Sequence, residues 1–135
     1  MEGLLYKDEC YQIQGAIFKV YKELGCGHKE IVYENSLVQL LIASGYQVEK
    51  QKRISVFFNG KKVGTYTPDL VINSLIMVEL KAKTYLTQQD IQQFWKYLTA
   101  TDYKLGLLVN FGKPGGVEII RKVYDTARNK QNKQI

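Results

Sequence analysis

The strongest constraint on this chain is a change in its hydrophobic period near residue 47. Before that point the apolar residues recur at helical spacing. Cys10, Ile13, Ile17, Val20, Tyr21 and Leu24 form one stripe over 8–24, and Gly25-Cys26-Gly27 stops it. A second helix is predicted from about Lys29 to Ser44, with Ile31, Val32, Leu37, Leu40 and Leu41 inward and Gly45 ending it. After residue 47 the signals are those of strands and tight turns. Val48 to Phe58 is β-rich, and Asn59-Gly60 marks a type I′ hairpin. Lys62 to Ile72 continues as a strand, Asn73-Ser74 turns the chain, and Leu75 to Ala82 returns. Thr87 to Ala100 is predicted as a helix capped by Thr87, with Ile91, Phe94, Trp95 and Leu98 as its apolar stripe. Leu105 to Asn110 is short and continuously apolar, as in a strand buried on both faces, and Val117 to Val123 is a last strand. The order is ααβββαβ(β), an α/β fold with a mixed sheet flanked by helices.

At 135 residues this is one domain, assigned to residues 1–125. No apolar run approaches the roughly 20 residues that span a bilayer. The acidic start, with Glu2, Asp8 and Glu9, argues against a signal peptide, so a cytoplasmic location is expected. Cys10 and Cys26 form neither a disulfide framework nor a zinc site.

The stretch that carries chemistry is Thr67 to Lys83, TPDLVINSLIMVELKAK. Glu79 and Lys81 are two apart on one strand and share a face. Asp69 lies on the preceding strand. A three-residue connection would set it opposite Glu79, and a two-residue turn would pair it with Val78. Charges among Leu70, Val71, Ile76, Val78 and Leu80 are costly unless paired or ligating a metal. A divalent cation converts two converging carboxylates into a binding site, and oxygen ligands suit Mg²⁺ or Mn²⁺. The competing reading is a cross-strand salt bridge on a solvated face.

This hairpin resembles the PD-(D/E)XK nuclease signature, and further motifs follow in chain order. Gly27-His28-Lys29-Glu30-Ile31-Val32-Tyr33 is similar to the pattern of the GxxExxY family. Gln93-Phe94-Trp95-Lys96-Tyr97 resembles the QxxxY motif of RecB-like members, and Gly106 to Gly112 resembles the closing strand. The resemblance covers about residues 10–123. It implies an αβββαβ core in which Asp69 and Glu79 bind metal, Lys81 is the catalytic lysine and the Leu80 carbonyl is an extra ligand. Glu30 would bind the metal directly or through water, while Gln93 and Tyr97 would contact substrate phosphate or brace the lysine. The implied activity is metal-dependent hydrolysis of DNA, with RNA as a second substrate class. Many small nucleases of this fold form homodimers that address two strands. The alternative is a nucleic-acid-binding or protein-interaction module that kept the fold without turnover. Two cysteines cannot supply the iron–sulfur cluster of some RecB-like nucleases.

Charge distribution fits a polyanionic partner. Residues 1–50 carry five Lys/Arg against seven Asp/Glu, whereas residues 51–135 carry fourteen against six. A basic tail, residues 126–135 with Arg128, Lys130 and Lys133, could grip phosphates or merely solubilise the end. His28 reads as a surface residue leading into a helix, and most of the ten tyrosines as packing residues.

Overall fold

The computed structural model describes residues 5–124, so the basic tail lies outside the described residues. Two helices open the fold, α1 (Lys7–Leu24) and α2 (Glu30–Ala43). The strands β1 (Val48–Lys50), β2 (Ile54–Phe58), β3 (Lys61–Tyr66), β4 (Leu70–Ile72) and β5 (Ile76–Lys81) follow, then α3 (Gln88–Thr99), β6 (Leu105–Asn110) and β7 (Glu118–Val123). The main sheet runs β1-β4-β5-β6-β7, and β2-β3 forms a separate two-stranded ribbon. β5 and β6 are parallel and joined through α3, while the other neighbours are antiparallel.

The alternation within β5 assigns residues to two layers. Ile76, Val78 and Leu80 pack with Leu105, Leu107 and Val109 against Ile13, Ile17, Leu37 and Leu41 of α1 and α2. Met77, Leu108 and Tyr66 pack against Phe94 and Leu98 of α3. All six residues of β6 are buried, as its unbroken apolar run requires. Among the described residues, no helix is long and apolar enough to cross a membrane.

Two expectations need correction. Ile31 and Val32 are exposed, and α2 instead buries Tyr33, Glu34, Leu37 and Leu41. Helix phase explains this, since Ile31 and Val32 lie about 120° and 140° around the axis from Leu37. The second correction concerns the long strands. Residues 48–58 and 61–72 are each broken, at Gln51–Arg53 and at Thr67–Asp69. The pairings Lys50↔Leu70 and Ile54↔Tyr66 keep one register across the break, so the whole is a single bent hairpin. Pro68 cannot donate to a ladder, and Gln51 takes a left-handed φ of 54°, which lets the chain leave one sheet and enter the ribbon. Asp69 sits at the bend.

Candidate active site

The connection after β4 settles the register. Ile72 pairs with Ile76 and Leu70 with Val78, so the next position sets Asp69 opposite Glu79. The two left-handed residues Asn73 and Ser74 make that turn, closed by Leu75 N–H donating to the Ile72 carbonyl at 3.0 Å. At the bend, side chains take over from the ladder. The Asp69 N–H donates to Glu79 Oε1 at 2.8 Å, and the Leu80 N–H donates to Asp69 Oδ2 at 2.8 Å. Gln51 closes the clasp, its N–H on the Asp69 carbonyl at 3.0 Å and its Nε2 on Asp69 Oδ1 at 3.3 Å. Phe111 N–H donates to the Lys81 carbonyl on the β6 side. Alternation along the strand therefore turns the Leu80 carbonyl toward Asp69.

The electrostatics of this clasp are unfavourable in the protein alone. Burial, and then the charge of Asp69, push the Glu79 carboxyl up to about 7. The Tyr66 hydroxyl lies beside Glu79 but is buried without a hydrogen bond of ordinary geometry. Its ionisation is raised by burial first and by Glu79 next. Glu30, at the first turn of α2, is also raised, by desolvation and then by Asp69, and is lowered by Lys81. Lys81 is half-buried and forms no close ion pair; those among the described residues are Lys50–Glu34, Lys52–Glu49 and Lys83–Asp90. The solvated cross-strand salt bridge is thus not what forms here.

Glu30 reaches this neighbourhood because Tyr33 anchors the start of α2. Tyr33 is fully buried and stacks on Phe111 with ring centroids 4.5 Å apart. Its hydroxyl donates to the Gly25 carbonyl and accepts from the His28 N–H. On the opposite side of the sheet, Thr87 and Asp90 form a capping box that starts α3. Gln93 Nε2 donates to the Tyr97 hydroxyl at 3.0 Å, and Tyr97 stacks on Tyr66 with centroids 4.0 Å apart. The QxxxY pair therefore touches the acids through Tyr66. Gly106 permits this approach, since a Cβ there would meet the Phe94 ring at 2.6 Å. Trp95, expected inward, is 38% exposed at the rim of the α3 stripe.

Several residues that shape the site escaped the sequence reading. Tyr66 and Gln51 looked like ordinary strand residues. Glu34, one turn after Glu30, is buried against Lys50, with Nζ to Oε2 at 3.4 Å. Asn110 had a legible signal, an amide inside an apolar run. It is fully buried and ties the segment after β5, donating to the Lys83 carbonyl and accepting from the Lys83 N–H.

The donor chemistry fits a hard divalent cation. Asp69, Glu79 and the Leu80 carbonyl are oxygen donors at one edge, and a cation would relieve the repulsion that raises Glu79. Glu30 does not complete a set of three, because no group of three or more His, Cys, Asp or Glu side chains able to hold a metal exists among the described residues. Asp69 and Glu79 each direct an oxygen at the other's strand, while Glu30 stays exposed and coupled by charge.

Comparison with known proteins bears on the family. No curated protein sequence matches the chain. A solved structure described as "Crystal structure of SSO0001" is similar at 14% identity and TM-score 0.47, over 98% of this chain and 84% of that one, too distant to inform the site. The family model of the PD-(D/E)XK nuclease superfamily matches residues 7–123, which takes in both helices, the bent hairpin, α3 and both closing strands. On that match, the chain belongs to the PD-(D/E)XK nuclease superfamily.

Proposed function

We propose that this chain is a divalent-metal-dependent nuclease of the GxxExxY type that hydrolyses DNA, with Asp69, Glu79 and the Leu80 carbonyl holding Mg²⁺ or Mn²⁺. One observation carries the reading. The Glu79 carboxylate accepts from the Asp69 N–H and the Asp69 carboxylate from the Leu80 N–H, both at 2.8 Å, Glu79 is pushed up to about 7, and Lys81, which has no close ion pair among the described residues, stands two residues on. A bound divalent cation supplies Lewis-acid polarisation of the phosphodiester and lowers the pKa of water.

The chain's own residues do the rest. Lys81 steadies negative charge developing on the phosphoryl oxygens, at a site where no carboxylate has already neutralised it. Glu30 stays coupled to Asp69 by charge and adds negative potential on the helix side, where it could reach a bound cation through water. Tyr97, held by Gln93, stacks Tyr66 against Glu79 and limits its rotamers. The basic share of residues 51–135 gives the phosphate backbone its electrostatic landing.

The rival is an inert nucleic-acid-binding module, favoured by the lack of a third carboxylate in the donor set among the described residues. Cleavage of single-stranded, duplex and branched DNA, with Mg²⁺ or Mn²⁺ against chelator, tests the proposal. Metal-dependent cleavage that Asp69→Asn abolishes supports it. Absence of both metal binding and cleavage across that panel overturns it in favour of the module.

A further inference from the structure

The ribbon β2–β3 breaks the usual rule for apolar residues. Phe57, Phe58 and Val63 are 62%, 67% and 64% exposed, and all three belong to it. Its register sets Phe57 opposite Lys62 and Phe58 opposite Lys61, after a bulge between Val56 and Phe57. Directly opposed residues share a face, and successive residues alternate. Each face of the tip therefore presents one phenylalanine ring with one lysine beside it. Asn59 and Gly60, both at positive φ, turn the chain tightly between them. From Gln51 to Tyr66 the sequence carries Lys52, Arg53, Lys61 and Lys62 and no Asp or Glu. From the root, where Lys52 and Arg53 meet Thr101, Asp102 and Tyr103, a groove of about 760 Å³ runs along the ribbon as far as Phe57.

The ribbon is rooted in the acid pair. β3 ends at Tyr66, whose hydroxyl lies beside Glu79, and its six residues reach about 20 Å from there to the tip. That distance is about six stacked nucleotides at the rise of a DNA strand. A polyanion whose scissile phosphate lies at Asp69 and Glu79 can thus extend along the ribbon. A phenylalanine has no donor or acceptor with which to read base edges, so its contribution is stacking. Base faces are free only where a strand is unpaired or can be unstacked. A second copy of this chain is a poorer occupant, because Arg53, Lys61 and Lys62 would meet like charges, with Lys52 alone of the four paired, to Glu49 at 3.4 Å, among the described residues.

On the nuclease reading of the acid pair, we infer that the tip of the β2–β3 ribbon is a stacking wedge for unpaired bases of the DNA substrate, with Phe57 and Phe58 stacking and Lys61 and Lys62 on the flanking phosphates.

The test is fluorescence anisotropy in chelator with two labelled DNAs of equal length, one fully paired and one ending in a single-stranded overhang. A 2-aminopurine in the overhang reports stacking. The wild-type chain binds the overhang DNA more tightly and quenches the probe. The double variant Phe57→Ala/Phe58→Ala loses about tenfold or more in overhang affinity, together with the quench, and changes little on paired DNA. Lys61→Ala/Lys62→Ala weakens both DNAs and flattens the salt dependence by about two phosphate contacts. Phe18→Ala, which removes a 54% exposed ring from α1, behaves as wild type. If Phe57→Ala/Phe58→Ala binds and quenches like wild type, the wedge is overturned and the nuclease reading stands. If wild type binds and quenches but cuts nothing with metal, the nuclease reading fails and the wedge stands. Loss of self-association in sedimentation, with DNA binding intact, assigns the ribbon to a second copy and overturns the wedge.

Discussion

Two buried polar clusters lie on either side of β5, and the chain treats them differently. Around Asn110 every capacity of the amide is used. Nδ2 donates to the Lys83 carbonyl and to Glu118 Oε1, both at 2.8 Å, while Oδ1 accepts from the Lys83 and Gly112 N–H groups at 2.9 and 3.2 Å. Backbone approaches so closely here that a Cβ on Gly112 would meet the Lys83 N at 2.3 Å. Around Glu79 the opposite holds. Among the described residues the Tyr66 hydroxyl has no hydrogen bond of ordinary geometry, one carboxyl is pushed up to about 7, and Lys81 has no close ion pair. Unsatisfied buried groups each cost on the order of 1–3 kcal/mol, so the second cluster carries a cost the first avoids. A chain able to satisfy Asn110 fully, yet leaving Glu79 frustrated, keeps that frustration where a ligand can relieve it.

The contrast is broken most severely at the satisfied cluster. Asn110→Leu orphans the part-buried Lys83 N–H and carbonyl and the Glu118 carboxylate, and a loss of about 3–5 kcal/mol is expected in urea denaturation. A variant within 1 kcal/mol of wild type would remove Asn110 from its bracing role. At the frustrated cluster, function falls and stability does not. Lys81→Ala lowers metal-dependent cleavage about 10²-fold, some 2.7 kcal/mol of barrier, with an unchanged urea midpoint. An equal loss of cleavage and fold would show that the lysine is structural.

Proton linkage sharpens the same comparison at smaller amplitude. Glu79 ionises near 4.5 when unfolded and near 7 when folded, so the folded state holds its proton more tightly. This contribution to stability is full below about 4.5 and is lost as pH rises to about 7. Mg²⁺ should therefore raise Tm at pH 7.5 and do little at pH 5, where it must displace the proton. Glu79→Gln removes both effects, and a wild-type Mg²⁺ response in that variant would locate the metal elsewhere. Asp90, drawn down to about 2 chiefly by its hydrogen bond to Lys83, titrates well below this window, whereas Glu30 shifts in the same direction as Glu79 and is told apart from it by that variant. The smallest effect is expected from Tyr66→Phe. Deleting a hydroxyl without a partner leaves stability within about 1 kcal/mol of wild type, or raises it. A larger loss would mean that the hydroxyl is bonded to Glu79 in solution.

Much of this arrangement was legible in the sequence, because periodicity and turn chemistry are local. Thr87 capped its helix, Asn59-Gly60 turned its hairpin, and 105–110 lay buried on both faces as its apolar run demanded. The facing of Asp69 and Glu79 hung on one residue of turn length, which two left-handed residues at 73 and 74 decide. What stayed hidden depends on distant pairing. Nothing local distinguishes Tyr66 from a routine strand tyrosine until α3 brings Tyr97 over it. Gln51 gains meaning only when the bend folds it onto Asp69, and Glu34 only when Lys50 arrives beside it. The motif singled out Glu30, but its distance from the acid pair, set by how α2 packs, was not readable.

The closeness of α3 to the sheet rests on an absence. Gly106 gives the Phe94 ring the room a methyl group would take, so the height of the helix over β6 is set by a missing side chain. Gln93 and Tyr97 ride on that helix beside Phe94. Position 106 is thus a spacer for the whole face: enlarging it lifts the tyrosine stack away from Glu79 without touching any charged group. Shrinking Phe94 in the same variant should let the helix settle back. A paired exchange of size between 106 and 94 is therefore a mechanical control over the site, independent of its chemistry.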